Sequence, residues 1–289
     1  MPPNQEPEAG SKKWLFLEYF PDNTLWINKP TLDDIRATMQ LEQNKTSSAA
    51  PYIVSSDTSP ETVEYITNNP QFLGKHVRIF YDKKYCKLVI KLVHHAHEVA
   101  RSLISREIDI AADRMSIVNG LVPDGSKRVA SGQYTKEPAS SWRPATLPPS
   151  RDAKWPSLVV ECGDLKSITR LRIEAEWWLA KSQGDVKVAI VLIVWPTWSG
   201  ILLEKWVPDP NGDSNSNDSA TGTAKCIQKI GLQCKARNTA SVEISGGSLR
   251  LGFEEVFLRA PSSPRERDII VSEEALKSIM GLVYDEFVI

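Results

Sequence analysis

Apolar residues cluster most densely between Trp155 and Trp195. Two short β-branched runs there, Leu158–Val160 and Val188–Trp195, flank an amphipathic segment near residues 166–181. Neither run is long enough for an ordinary helix, and unbroken apolar character predicts strands covered on both faces. The unit therefore reads strand–helix–strand, with Ile201–Val207 turning back antiparallel to the second strand. Ahead of it, Tyr85, Leu88, Leu92, Ala96, Val99, Leu103 and Glu107 recur at spacings of three and four, predicting one helix from about Lys84 to Ile110. On that helix Glu107 continues the apolar stripe, whereas Glu98 falls off it toward water.

The remaining signals are shorter. Pro21-Asp22-Asn23 predicts a turn between Trp14–Phe20 and Leu25–Ile27, giving a hairpin. Thr31 caps a helix running to about Gln43, and Ser59 caps another over Pro60–Asn68 with proline at its first position. Strands are expected at Tyr52–Val54, His76–Tyr81, Val129–Tyr134, Cys226–Lys235 and Ala240–Ile244. A last helix, Glu273–Phe287, is capped by Ser272. Together these predict an α/β (α+β) fold, a mixed central sheet flanked by helices. A chain of 289 residues can fold as one large domain with appendages. The expected division is a disordered tail over 1–12 and a single domain over 13–289. That domain carries an N-terminal extension (13–82) and a disordered polar insertion (208–225).

Composition narrows the function classes only a little. A net charge of −1 gives no global field toward nucleic acid or membrane. Locally, the Lys75–Arg106 stretch holds eight basic residues against two acids, while the chain from Phe253 onward has a net charge of −4. The basic stretch would suit an anionic partner, and a solvated surface would look the same. The four cysteines lack metal-ligand or C-x-x-C spacing, and Cys86 and Cys162 lie in apolar contexts that suggest reduced, buried thiols. His94 and His97 can share a helix face but form no recognisable metal motif. No signal-peptide pattern or run long enough to span a membrane is present, so a cytoplasmic or nuclear protein is expected. Nucleotide-binding, serine-hydrolase and zinc-protease motifs are all absent.

Three stretches resemble the PD-(D/E)XK nuclease-like superfamily, in a form carried by proteins of filamentous fungi. The long helix expected at 85–110 corresponds to that fold's opening core helix. Lys136-Glu137-Pro138-Ala139-Ser140-Ser141-Trp142-Arg143-Pro144 is similar to K-E-P-D-x-S-W-x-P. Pro156–Gly163 resembles P-x-L-V-V-E-V-G, and Leu171–Leu179 resembles L-R-x-D-A-x-W-W-L. The match spans about Tyr85 to Val207 and implies a restriction-endonuclease-like core. In that family, carboxylates hold Mg²⁺, which polarises a phosphodiester and activates water, while a lysine positions the water. This chain departs from the pattern twice: Ala139 replaces the motif aspartate, and Gly163 stands where the lysine is expected.

Three functions fit these residues. One is a degenerate nuclease-like scaffold that binds a partner, with Glu161 paired to Lys166 or Arg172. The second is an active Mg²⁺-dependent phosphodiesterase on DNA or RNA. In that case Glu161 and Glu107 would hold the metal, Glu137 would reach in as a third acid, and Lys166 would position the water; Arg170 and Arg172 are alternatives to Lys166. Nucleic acid would then lie on the basic 75–106 face. The third is a small-molecule enzyme or binder using a tryptophan-lined pocket beside Cys162. The acids converge in the second reading and separate in the first.

Overall fold

The computed structural model describes residues 16–45, 49–74, 76–117, 120–149, 151–195, 199–210, 224–235 and 241–286. The expected tail at 1–12, the first residues of the N-terminal hairpin and residues 211–223 of the expected 208–225 insertion lie outside these. The molecule is a mixed α/β structure built on two large sheets. The first sheet contains β1 (Leu25–Asn28), β2 (Tyr52–Ser56), β3 (Val77–Asp82), β4 (Lys87–Leu92), β6 (Val129–Ser131) and β7 (Tyr134–Lys136). Its order is β1-β2-β4-β3-β7-β6. The second contains β5 (Leu121–Pro123), β8 (Ser140–Pro144), β9 (Leu158–Gly163), β10 (Val188–Trp195), β11 (Gly200–Pro208), β12 (Ala224–Cys234) and β13 (Val242–Ser245). Its order is β13-β12-β11-β10-β9-β8-β5. A small pair, β14 (Leu249–Leu251) and β15 (Ile269–Val271), completes the strands.

Helices α1 (Leu32–Gln43) and α2 (Pro60–Asn68) pack on the outer face of the first sheet. Helix α4 (Ile168–Lys181) lies between the sheets, where Trp177, Trp178 and Leu171 share a core with Tyr52, Phe80, Val89, Val159 and Val191. Helices α3 (His95–Asp113), α5 (Phe253–Phe257) and α6 (Glu273–Asp285) cover the opposite face of the second sheet. The expected strand–helix–strand–strand unit appears as β9–α4–β10–β11. In it β10 runs parallel to β9 and antiparallel to β11. The crossover helix α4 covers one face of the parallel pair and the α3 layer the other, which is why, Glu161 apart, their sequences are apolar.

The structure alters three expectations. The strand expected at Val129–Tyr134 is the β6–β7 hairpin, turning at Gly132 (φ 58°). The stretch predicted as one helix from Lys84 is the second strand of a β3–β4 hairpin followed by α3. Leu88 and Leu92 fit helical spacing and strand alternation alike. Val89 and Ile90 between them favour the strand, and the left-handed turn at Cys86 (φ 49°) closes the hairpin. The buried stripe of α3 is consequently His97, Ala100, Ile104, Ile108 and Ala112, and Glu107 lies beside it. Nor do residues 16–20 pair with β1. They form a short 3-10 turn and an irregular strap, while β1 pairs in parallel with β2.

The chain leaves the first sheet after Lys136 and enters the second at Ser140, so Glu137, Pro138 and Ala139 form the bridge between them. Ala139 donates its amide to Val160 O at 3.0 Å. Arg78 and Ser126 both bond to the Ala139 carbonyl, at 3.5 and 3.1 Å. This crossing places side chains of both sheets in the layer that α4 occupies.

Candidate functional site

Successive residues of a strand face opposite ways. Leu158, Val160 and Cys162 of β9 face the layer beneath α3, which leaves Glu161 facing α4 and the first sheet. Its carboxylate is 1% exposed. Lys136 Nζ lies 3.0 Å from Oε1, and Trp178 Nε1 donates to the same oxygen at 2.7 Å. Lys91 Nζ lies 3.3 Å from Oε2. A second acid, Glu174 of α4, takes Lys91 at 3.1 Å and Lys136 at 3.5 Å on one oxygen and Arg170 Nε at 3.2 Å on the other.

Arg170, Glu174 and Trp178 recur at four-residue spacing and thus share one face of α4. The first sheet supplies Lys91 from β4 and Lys136 from the end of β7. The result is a closed cluster of three cations and two carboxylates, all buried. Burial opposes ionisation of Glu174, yet Lys136, Lys91 and Arg170 hold its carboxyl far below the ordinary range. Burial likewise opposes the charge of Lys91, but Glu174, Tyr52 and Glu161 raise it well above the usual lysine value.

Phe16–Phe20 closes the cluster from outside. The Arg170 guanidinium is sandwiched between the rings of Phe16 and Phe20, at 4.1 and 4.3 Å, and donates to the Phe16 carbonyl. Lys136 Nζ lies 5.6 Å from the Phe16 ring and 5.5 Å from that of Trp178. Phe20 meets the Tyr52 ring edge-on at 5.5 Å.

The four residues singled out from sequence do not come together. Glu161 alone enters the cluster. Glu107 lies partly exposed on α3, 3.7 Å from Arg106. Glu137 points away from its neighbour Lys136, held by Arg128 at 2.8 Å and by the Ile79 amide at 3.1 Å. Lys166 is exposed on the 3-10 turn ahead of α4. Arg172, the other expected partner of Glu161, instead forms a two-pronged pair with buried Glu204, at 2.6 and 2.9 Å. Only Arg170 of the alternatives contributes, and it does so through Glu174.

The Mg²⁺ site implied by the family resemblance does not fit these residues. Among the described residues no three His, Cys, Asp or Glu side chains form a metal-holding group. Both Glu161 oxygens are already engaged by cations or the indole. Ala139 packs in the layer beneath α3 rather than facing α4. At position 163 an added Cβ would sit 3.2 Å from a methyl of Leu171, so the expected lysine has little room.

The basic 75–106 stretch is also divided. Arg78 and Arg101 are tied to Glu98 at 3.0 and 2.6 Å, so Glu98 is a partly buried bridging acid rather than a wet one. Lys91 is in the cluster, and Lys83 and Lys84 project from the β3–β4 turn. Of the histidines, His95 reaches Glu286 at 3.1 Å, and His97 is buried. Burial, assisted by His94, pushes His97 down to about 4. Cys162 is buried, and desolvation pushes its thiol up to about 12, which leaves no thiolate for nucleophilic chemistry. Trp155, Trp177 and Trp178 pack against one another with centroids 5.2 to 6.2 Å apart, filling the core between the sheets.

No family model matches the chain, and no curated protein matches it. Among solved structures, a candidate nuclease of the DUF820 group from Anabaena variabilis superposes with a TM-score of 0.36 and 11% identity, over 70% of this chain and 90% of that one. At that level of superposition nothing of the neighbour's chemistry transfers to this chain. Among the described residues no helix is long and apolar enough to cross a membrane.

Proposed function

We propose that this chain is a degenerate nuclease-like scaffold of the PD-(D/E)XK type that acts by binding rather than by metal-dependent cleavage. The observation that carries this reading is the state of Glu161. Its two oxygens are taken by Lys136, Trp178 and Lys91 inside a fully buried cluster. A divalent cation would have to displace the two ammonium groups that bridge Glu161 and Glu174, and among the described residues no third metal-ligating side chain joins these two acids. The sequence motifs have kept their order, while Ala139 offers no ligand and the one retained acid, Glu161, is neutralised by Lys91 and Lys136.

The test is to incubate the full chain with end-labelled single- and double-stranded DNA and RNA in Mg²⁺ or Mn²⁺, with calorimetric titration of each metal alongside. The expected result is no metal-dependent cleavage and no saturable metal heat. Cleavage that needs the metal and disappears in Glu161→Gln would overturn the reading.

A further inference from the structure

The buried cluster has an excess of positive charge and unused donors. Three cations face two carboxylates, and burying an unbalanced charge is costly unless another group meets it. Among the described residues two polar atoms near Glu174 have no hydrogen-bond partner, Arg170 Nη2 and the Tyr52 hydroxyl; both side chains are 0% exposed. They share neighbours: Phe20 packs on both, and Glu174 lies close to both. Unsatisfied buried donors are uncommon, and two of them beside surplus positive charge suit an acceptor that carries negative charge.

The same place has an approach from solvent. A groove of about 480 Å³ is lined by Tyr19, Phe20, Pro21, Asp22, Asn23, Lys166 and Thr169. Its Lys166 is exposed on the 3-10 turn, four residues before Arg170. Phe20 lines this groove and also packs on the Arg170 guanidinium and the Tyr52 ring. The strap is held by its rings, Phe16 against Phe80 and Trp177 and Phe20 against Trp26 and Tyr52; Tyr19 between them adopts a left-handed backbone (φ 58°), and the Arg170–Phe16 carbonyl bond is a polar tie to the cluster.

We propose that this groove and the Arg170–Tyr52 end of the cluster form a binding site for a tetrahedral oxyanion of the phosphate class, gated by Phe16–Phe20. Lys166 meets the anion first, and Phe20 turns aside. Arg170 Nη2 and the Tyr52 hydroxyl then donate to it, while Lys91 and Lys136 remain on Glu161 and Glu174. The assignment rests on the metal-free reading above and supplies the ligand class for that scaffold. The shared chemistry is a phosphate group, whether inorganic or at the end of an organic monoester.

The test is calorimetric titration of the full chain with inorganic phosphate and with phenyl phosphate, in EDTA and at fixed ionic strength, with chloride as control. One-to-one binding is expected. Losing a hydrogen bond to a charged group should weaken it about tenfold in Tyr52→Phe, and Lys166→Ala should weaken it by a similar factor. Phe20→Ala, which loosens the gate, should tighten it by raising the binding-competent fraction. Tighter binding of phenyl phosphate than of phosphate identifies a monoester as the source; equal affinity identifies the free ion.

Absence of binding in both the wild type and Phe20→Ala overturns the site, as does affinity indifferent to Lys166→Ala and Tyr52→Phe. Folding of each variant is checked by near-ultraviolet circular dichroism, and Lys166→Ala, a surface change, keeps the test decisive should Tyr52→Phe unfold. Binding in EDTA separates this outcome from the fate of the scaffold reading, which falls only if metal-dependent cleavage is found.

Discussion

A buried carboxylate held by two lysines is worth most when its partners are considered together. Replacing Glu161 by Gln leaves Lys91 and Lys136 facing Glu174 alone, and removing one member of a buried ionic group costs about 3–5 kcal/mol. Glu161→Gln should therefore lower the urea midpoint of unfolding strongly, with no change in any cleavage activity. His97 gives a second measurement at this scale. Its folded pKa is depressed to about 4, by burial first and then by His94 and Lys91, with Asp164 opposing. A depressed histidine contributes stability above its ordinary value of 6.5 that is lost as the pH falls toward 4, because the unfolded chain takes up the proton first. Urea midpoints measured across that range should decline toward acid, and the decline should flatten in His97→Leu. Little of this was legible from residue types. Glu161 stood out as an acid closing an apolar run. Lys91 and Lys136 looked like ordinary strand and motif residues, and their burial arises only where two sheets meet. Glu174 was visible as the acid of the third motif, but its role depends on cations 83 and 38 positions earlier in the chain.

At the scale of elements, α4 carries the cluster through one face, Arg170–Glu174–Trp178. Trp178→Phe keeps an aromatic ring beside Trp155 and Trp177, removes the indole donor to Glu161 and leaves a small void where the larger ring was. Loss of a hydrogen bond to a charged group costs about 1.5–3 kcal/mol. This variant should be measurably less stable than wild type in equilibrium denaturation, but more stable than Glu161→Gln. The elements that were legible share a property: β9, α4, β10, β11, α2 and α6 are specified by local pattern or by a cap. Thus Ser59 and Ser272 accept from the amides of Thr62 and Ala275 at 3.2 Å, as their sequence positions predict. The errors occur where two periods coincide. Leu88 and Leu92 satisfy both helix and strand, and the choice is made by pairing, since β4 sits between β2 and β3 in the first sheet. The strap failed for a related reason. Phe16 and Phe20 look like strand residues, but their rings are drawn onto the Arg170 guanidinium instead of into a hairpin.

For the molecule as a whole, the question is whether restoring the motif restores chemistry. Ala139→Asp supplies the aspartate that the motif has, yet position 139 is 2% exposed and lies in the layer beneath α3. A carboxylate there would be separated from Glu161 by the sheet and would cost stability unless Arg78 or Arg101 turned to it. The expected outcome is a destabilised protein with no Mg²⁺-dependent cleavage of labelled DNA or RNA. The crossing between the sheets has a further consequence for how the chain finds one alignment. Lys136 and Glu137 are adjacent and face opposite ways, one into the charge cluster and one toward Arg128. A one-residue slip of β7 against β3 would exchange them. It would bring a third carboxylate against Glu161 and Glu174 and leave Lys136 facing the Arg128 guanidinium. Two errors of sign would then appear at once, on opposite sides of one strand. The buried charges thus act as a lock on the register of β7 against β3, one that an apolar core of equal volume would not provide.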